Sequence, residues 1–105
     1  MIIDTPRPPY YAVIFTSIKD KEDKGYSEMA DRMGALVQKQ DGFLGVERAR
    51  EEIGITVSYW KSLEAIQKWK QNEEHQFAQD KGKELWYKKY KIRIAKVDRD
   101  YGILD

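Results

Sequence analysis

Apolar residues fall along this chain in blocks whose spacing changes from one block to the next. Tyr10-Tyr11-Ala12-Val13-Ile14-Phe15-Thr16-Ser17 is aromatic or β-branched almost throughout, and it predicts a strand with apolar side chains on both faces. Pro6, Pro8 and Pro9 hold the residues before it in an extended arm, because proline fixes φ and restricts the residue that precedes it. Lys19 to Lys24 reads as a charged turn closed by Gly25. From Ser27, a plausible N-cap, Met29, Met33, Leu36 and Val37 recur at helical spacing, which predicts an amphipathic helix ending near Gln40 at Asp41-Gly42.

Phe43 to Arg50 then reads as a strand that turns polar toward its end, 51–54 as a hairpin turn, and Ile55 to Trp60 as a second strand of nearly period-two character. Ser62 is placed to cap a short helix with Glu64 in its first turn and Ile66 and Trp69 as its apolar stripe. Asn72 to Glu74 reads as a polar break. A second helical piece carries His75, Ala78, Gly82, Leu85 and Trp86 on one side. Ile92 to Val97 is the last strand, so the chain divides into an arm (1–9), one domain (10–98) and a tail (99–105).

The order β-α-β-β-α-β is that of the split βαβ, ferredoxin-like α+β fold, in which two helices cover one face of a four-stranded antiparallel sheet. The other face has no helix, yet the first strand offers apolar residues to both sides: Tyr11, Val13 and Phe15 to one, Ala12 and Ile14 to the other. An apolar sheet face without a cover needs a partner. The expectation is a homodimer formed through the open sheet face.

Composition narrows the chemistry. Nineteen basic residues against eighteen acidic ones leave a net charge of +1, so no field of one sign draws in nucleic acid or an anionic membrane. Lys81 to Lys91 mixes lysines with Trp86, Tyr87 and Tyr90, but its basic residues are spread around the predicted helix, and no nucleic-acid partner is expected. The absence of cysteine excludes disulfides, thiolate metal sites and cysteine nucleophiles, and a single histidine argues against a dedicated metal site. No run approaches the roughly 20 apolar residues that span a bilayer, and the N-terminus lacks the pattern of a signal peptide; a cytoplasmic protein without a membrane partner is expected.

Four segments carry a resemblance: Tyr59-Trp60-Lys61-Ser62-Leu63-Glu64-Ala65-Ile66-x-x-Trp69; Asp41-Gly42-Phe43-Leu44-Gly45; His75-x-x-Ala78-x-x-x-Gly82-x-x-x-Trp86-Tyr87; and Arg93-Ile94-Ala95-Lys96-Val97-Asp98-Arg99. Over about residues 10 to 101 the chain resembles the antibiotic biosynthesis monooxygenase family, and within it a small bacterial subgroup of uncharacterised members. The resemblance implies a dimeric α+β barrel with a ligand site in each subunit between sheet and helices. It also implies one of two activities. The first is cofactor-independent oxygenation of aromatic compounds, where the protein supplies a base and an apolar cavity. The second is haem degradation, with a histidine ligand, an asparagine and a tryptophan. Trp69 matches that tryptophan, but the ligand position is Gln79 and Tyr10 to Ser17 contains no asparagine.

Among the candidate residues, His75 is the one side chain whose ordinary pKa lies near neutrality, suited to a general base; the other reading is a half-exposed histidine at the start of a helix, with Glu73 and Glu74 simply its neighbours. Trp69 and Trp86 share the helical layer with His75 and read as walls for a flat aromatic ligand or as core, whereas Trp60 reads as core. Tyr11, Tyr59 and Tyr90 can orient a substrate oxygen or sit at the sheet rim. Arg93 can hold an anionic substrate or pair with an acid such as Glu47. These readings converge on a cofactor-independent monooxygenase for a small aromatic or activated carbonyl compound, needing neither cofactor nor metal. The alternative is a non-catalytic dimeric module that binds a small apolar ligand or haem.

Overall fold

In the computed structural model, residues 2–20, 25–79 and 86–104 are described, 74–79 by their backbone. The described elements are β1 (Tyr10–Lys19), α1 (Tyr26–Val37), β2 (Phe43–Arg50), β3 (Gly54–Trp60), α2 (Leu63–Gln79) and β4 (Tyr87–Val97). The strands form one antiparallel sheet in the order β2-β3-β1-β4, so the ferredoxin-like order read from the sequence is the fold observed. The most apolar strand, β1, lies inside the sheet beside β3. β4 takes an edge, where its lysines meet solvent and discourage further strand pairing.

Directly opposed residues of antiparallel strands share a face, so the register sorts every strand residue. Four rows cross the sheet beneath the helices. They run Arg50-Gly54-Ser17-Tyr90, Arg48-Thr56-Phe15-Ile92, Val46-Ser58-Val13-Ile94 and Phe43-Trp60-Tyr11-Lys96, each ordered from β2 to β4. Trp60 is wholly buried in the last row. It packs with Val37 and Ile66, stands edge-on to Phe43, and donates from Nε1 to Ser58 Oγ at 2.9 Å. A second cluster, Met29, Met33 and Trp86, lies under α1 with Tyr26, Leu36, Trp69 and Tyr87 against it.

The element ends differ from the sequence reading in ways local chemistry explains. α1 starts at Tyr26, one residue before Ser27: Gly25 takes the cap position at φ 84°, and the Met29 N–H bonds its carbonyl. Ser62 does cap α2, its Oγ accepting from the Ala65 N–H at 3.1 Å. The predicted break at Asn72–Glu74 is absent. Polarity alone does not stop a helix, and this run holds neither proline nor glycine, so α2 continues to Gln79. β4 begins at Tyr87 rather than Ile92, because pairing with the full length of β1 overrides the weak strand preference of lysine. Gly82 and Leu85, assigned to the second helical piece, lie outside the described residues. Gly42 sits in the turn after α1 at φ 84°, and a β-carbon there would come 2.6 Å from the Ala65 β-carbon. Only glycine lets the start of α2 pack this closely on the turn.

The helix-free face is partly covered by the arm. The Ile3 N–H donates to Glu47 Oε2 at 2.9 Å, and the Tyr59 hydroxyl donates to Glu47 Oε1 at 2.6 Å. Thr5 and Tyr10 both donate to Asp100 Oδ2, at 3.2 and 2.6 Å, and so tie arm and tail together.

A candidate ligand cavity between sheet and helices

Between the four rows and the helices lies a cavity of about 510 Å³, a volume suited to a small organic molecule. Val13, Phe15, Ile92 and Ile94 form its floor. Met29, Met33 and Val37 reach it from α1, and Ile66 and Trp69 from α2, while Trp86 and Tyr87 close it where the chain enters β4. The cavity arises from side-chain size: Thr56, Ser58 and Gly54 are the β3 members of three rows, and they fill less space than the Trp60 that plugs the fourth.

The walls are graded. Toward Trp60 they are apolar. Toward the Arg50 row they become polar and aromatic together. The Arg50 guanidinium donates to Ser17 Oγ and stands 6.0 Å from the Tyr87 ring centroid. Tyr87 donates from its hydroxyl to that of Tyr26 at 3.3 Å, and the two rings meet edge to face at 5.7 Å. Lys19 Nζ lies 4.5 Å from the Tyr26 ring centroid. Burial, and then the hydrogen bond to Tyr26, push the Tyr87 phenol far above its ordinary range, so it stays protonated across the working pH range. The charged residues along the cavity, among those described, are Arg48, Arg50, Lys70 and Glu73.

Of the residues singled out from sequence, Trp69 and Trp86 both line this cavity. Tyr59 does not: opposite Ala12, it faces the helix-free side and serves Glu47. Burial and that hydrogen bond raise its phenol to about 12. Arg93, opposite Ile14, also faces away from the helices. Tyr90 lies on the helix side but outside the cavity, against Phe15 and Tyr87, and with Arg93 it borders a separate shallow hollow. His75 falls in α2, and its side chain lies outside the described residues, as does that of Gln79. Sequence reasoning did not single out Arg50, Ser17, Tyr26 or Tyr87. The parity of Val46, Arg48 and Arg50 on β2 was the available signal, since one apolar member facing the helices carries the two arginines with it. No group of three metal-binding side chains occurs among the described residues.

A four-stranded antiparallel sheet with two helices on one face and a cavity between them defines a ferredoxin-like α+β fold. The family model for antibiotic biosynthesis monooxygenases matches residues 9–81, and the chain belongs to that family. It is 57% identical over 97 residues to the uncharacterised protein YqjZ of Bacillus subtilis, covering 90% of this chain and 85% of that one. Among solved structures it is similar to PA3566 of Pseudomonas aeruginosa, with a TM-score of 0.66 at 17% identity, covering 91% of this chain and 99% of the other. It is also similar to a candidate antibiotic biosynthesis monooxygenase of Bordetella bronchiseptica, with a TM-score of 0.64 at 12% identity, covering 92% and 100%. At these identities the two structures speak to the fold alone.

Proposed function

We propose that the protein is a cofactor-independent monooxygenase that takes a small aromatic or activated carbonyl compound into the cavity between sheet and helices. The observation that carries this reading is the cavity itself, apolar along most of its length, walled by Trp69 and Trp86, and polar at one end. Such a site suits a substrate that supplies its own electrons. A base removes a proton from an acidic C–H bond. The resulting carbanion reduces dioxygen and forms a C–O bond, and the hydroperoxide loses water to leave a carbonyl. One oxygen atom ends in the product and the other in water. His75, the single imidazole of the chain, is the proposed base. The apolar walls favour this chemistry by excluding water from the carbanion.

The partner in this reading is a second copy, stacked through the sheet face that no helix covers. No helix among the described residues is long and apolar enough to cross a membrane.

The test is oxygen uptake with anthrone-type substrates. Uptake by the wild type that His75→Ala abolishes is the expected result. A panel without uptake, on a protein whose tryptophan fluorescence is nonetheless quenched by the same compounds, sinks the oxygenase and leaves a binding module. A Soret shift on adding hemin, lost in His75→Ala, would make haem the ligand of that module.

A further inference from the structure

The polar end of the cavity is built around one missing side chain. Arg50, Gly54 and Ser17 are consecutive members of one row across β2, β3 and β1. Arg50, on an edge strand, is open to solvent on one side. The middle member has no side chain, and the guanidinium lies across it to reach Ser17, which is 2% exposed. A β-carbon at Gly54 would fall 2.1 Å from Arg50 Cζ, so any other residue there displaces the group. The described contacts of the guanidinium are with neutral groups, the Ser17 hydroxyl and the Tyr87 ring. A guanidinium carries several N–H donors, and a single hydroxyl acceptor does not use them. Next to it the Tyr87 hydroxyl donates to Tyr26, which leaves the hydroxyl hydrogen of Tyr26, itself a cavity residue, to donate elsewhere.

We infer that Arg50, with the Tyr26–Tyr87 hydroxyl pair beside it, is an anion-binding end of the cavity that selects aromatic ligands bearing a carboxylate, phenolate or enolate oxygen. The apolar length holds the ring system and the guanidinium, at the solvent-open mouth, holds the oxygen by a charge-assisted hydrogen bond. For a carbon acid, the same contact stabilises the enolate formed as the proton leaves, so recognition and activation use one group. This rests on reading the cavity as the ligand site.

The experiment compares 2-naphthoate with neutral 2-naphthalenemethanol, two ligands of similar size, by quenching of tryptophan fluorescence. The wild type is expected to bind the carboxylate at least about tenfold more tightly than the alcohol, the scale of one charge-assisted hydrogen bond. Arg50→Gln removes that preference. Gly54→Ala also removes it while keeping the arginine, because the clash is with the far end of a flexible side chain and the fold is retained. Arg93→Gln, on the opposite face, keeps the preference. A 1-naphthol arm, titrated through its ionisation, separates a phenolate from a carboxylate. Equal affinity for carboxylate and alcohol in the wild type, or a preference that survives both Arg50→Gln and Gly54→Ala, overturns the inference and leaves the cavity as a site for neutral aromatics. Binding of none of the three overturns the cavity reading as well.

Discussion

Trp60 shows what a single position contributes here. It is wholly enclosed by Phe43, Val37, Ile66 and Trp69, and its indole N–H is satisfied by Ser58. Trp60→Ala empties the plug at the apolar end of the cavity and leaves the Ser58 hydroxyl without its donor. A loss of about 3–5 kcal/mol is expected, with Trp60→Phe costing clearly less, both read from urea unfolding. Trp69, which is only half-buried and faces the cavity, is expected to lose less stability as alanine. Its loss falls instead on ligand affinity, seen as weaker binding of 2-naphthoate. The role of Trp60 was legible in the sequence because it ends a strand of period-two character. The anion-binding residue was not. Arg93 and Arg50 look alike in the sequence, each on a strand with apolar neighbours. Only the register, which sets Arg93 opposite Ile14 and Arg50 in the row of Ser17, puts them on opposite faces. Because β1 is apolar on both sides, its pattern could not say which face the helices cover.

Among the elements, the arm departs furthest from what its sequence suggested. Three prolines predicted an extended segment, and nothing in its composition predicted that it would lie on the sheet. It is held by Glu47, whose carboxylate accepts from the Tyr59 hydroxyl first and the Ile3 N–H second, and both hold it below its ordinary pKa. The carboxylate therefore binds its proton less readily folded than unfolded. Its contribution is fully present above the unfolded value of 4.5 and is lost as pH falls through the lower folded one. Tyr59 gives the alkaline counterpart. Its pKa is raised, so the stabilisation is present below 10.0 and is lost as pH rises toward about 12. Hydrogen exchange at the Ile3 amide is expected to stay protected near neutrality relative to Glu47→Gln, and to lose that difference as pH falls through the lowered folded pKa of Glu47. An amide whose intrinsic-rate-corrected protection is the same in both proteins at pH 7 would mean that Glu47 does not hold the arm. The helices show the complementary limit of sequence reading. Ser62 was found as a cap because its hydroxyl has a definite partner, while the polar run at Asn72–Glu74 was misread as a break because polarity describes the solvent a residue meets rather than the backbone it permits.

At the scale of the whole molecule, the arm changes the argument for pairing. It covers the helix-free face at Gly45, Glu47 and Tyr59 and leaves the rest of that face open. The remaining apolar surface is central: Ile14 stands opposite Val57, Thr16 opposite Ile55, and Ile18 lies one step along β1. Ile55 is 45% exposed and Ile18 39%, although both lie on interior strands of the sheet. Burying side chains of this kind is worth about 1.5–3 kcal/mol each, and in two stacked copies every such residue counts twice. The lysines of β4, Lys89 and Lys91, border the patch with Arg93 and keep the edge strand from adding further strands. In the proposed dimer this surface favours a face-to-face pair over an edge-to-edge one. The expectation is that the wild type gives a dimer mass in native mass spectrometry at micromolar concentration. Val57→Lys, which would place a charge in the dry centre of the stacked faces, gives the monomer mass. Because Val57 faces away from the helices, the variant is expected to bind 2-naphthoate at the wild-type tightness if each cavity is complete within one chain. Monomeric wild type, or a dimer that survives both Val57→Lys and Ile55→Lys, would place the pairing surface elsewhere. Loss of ligand binding together with the dimer, in a variant that unfolds at the wild-type urea concentration, would mean that the partner completes the cavity.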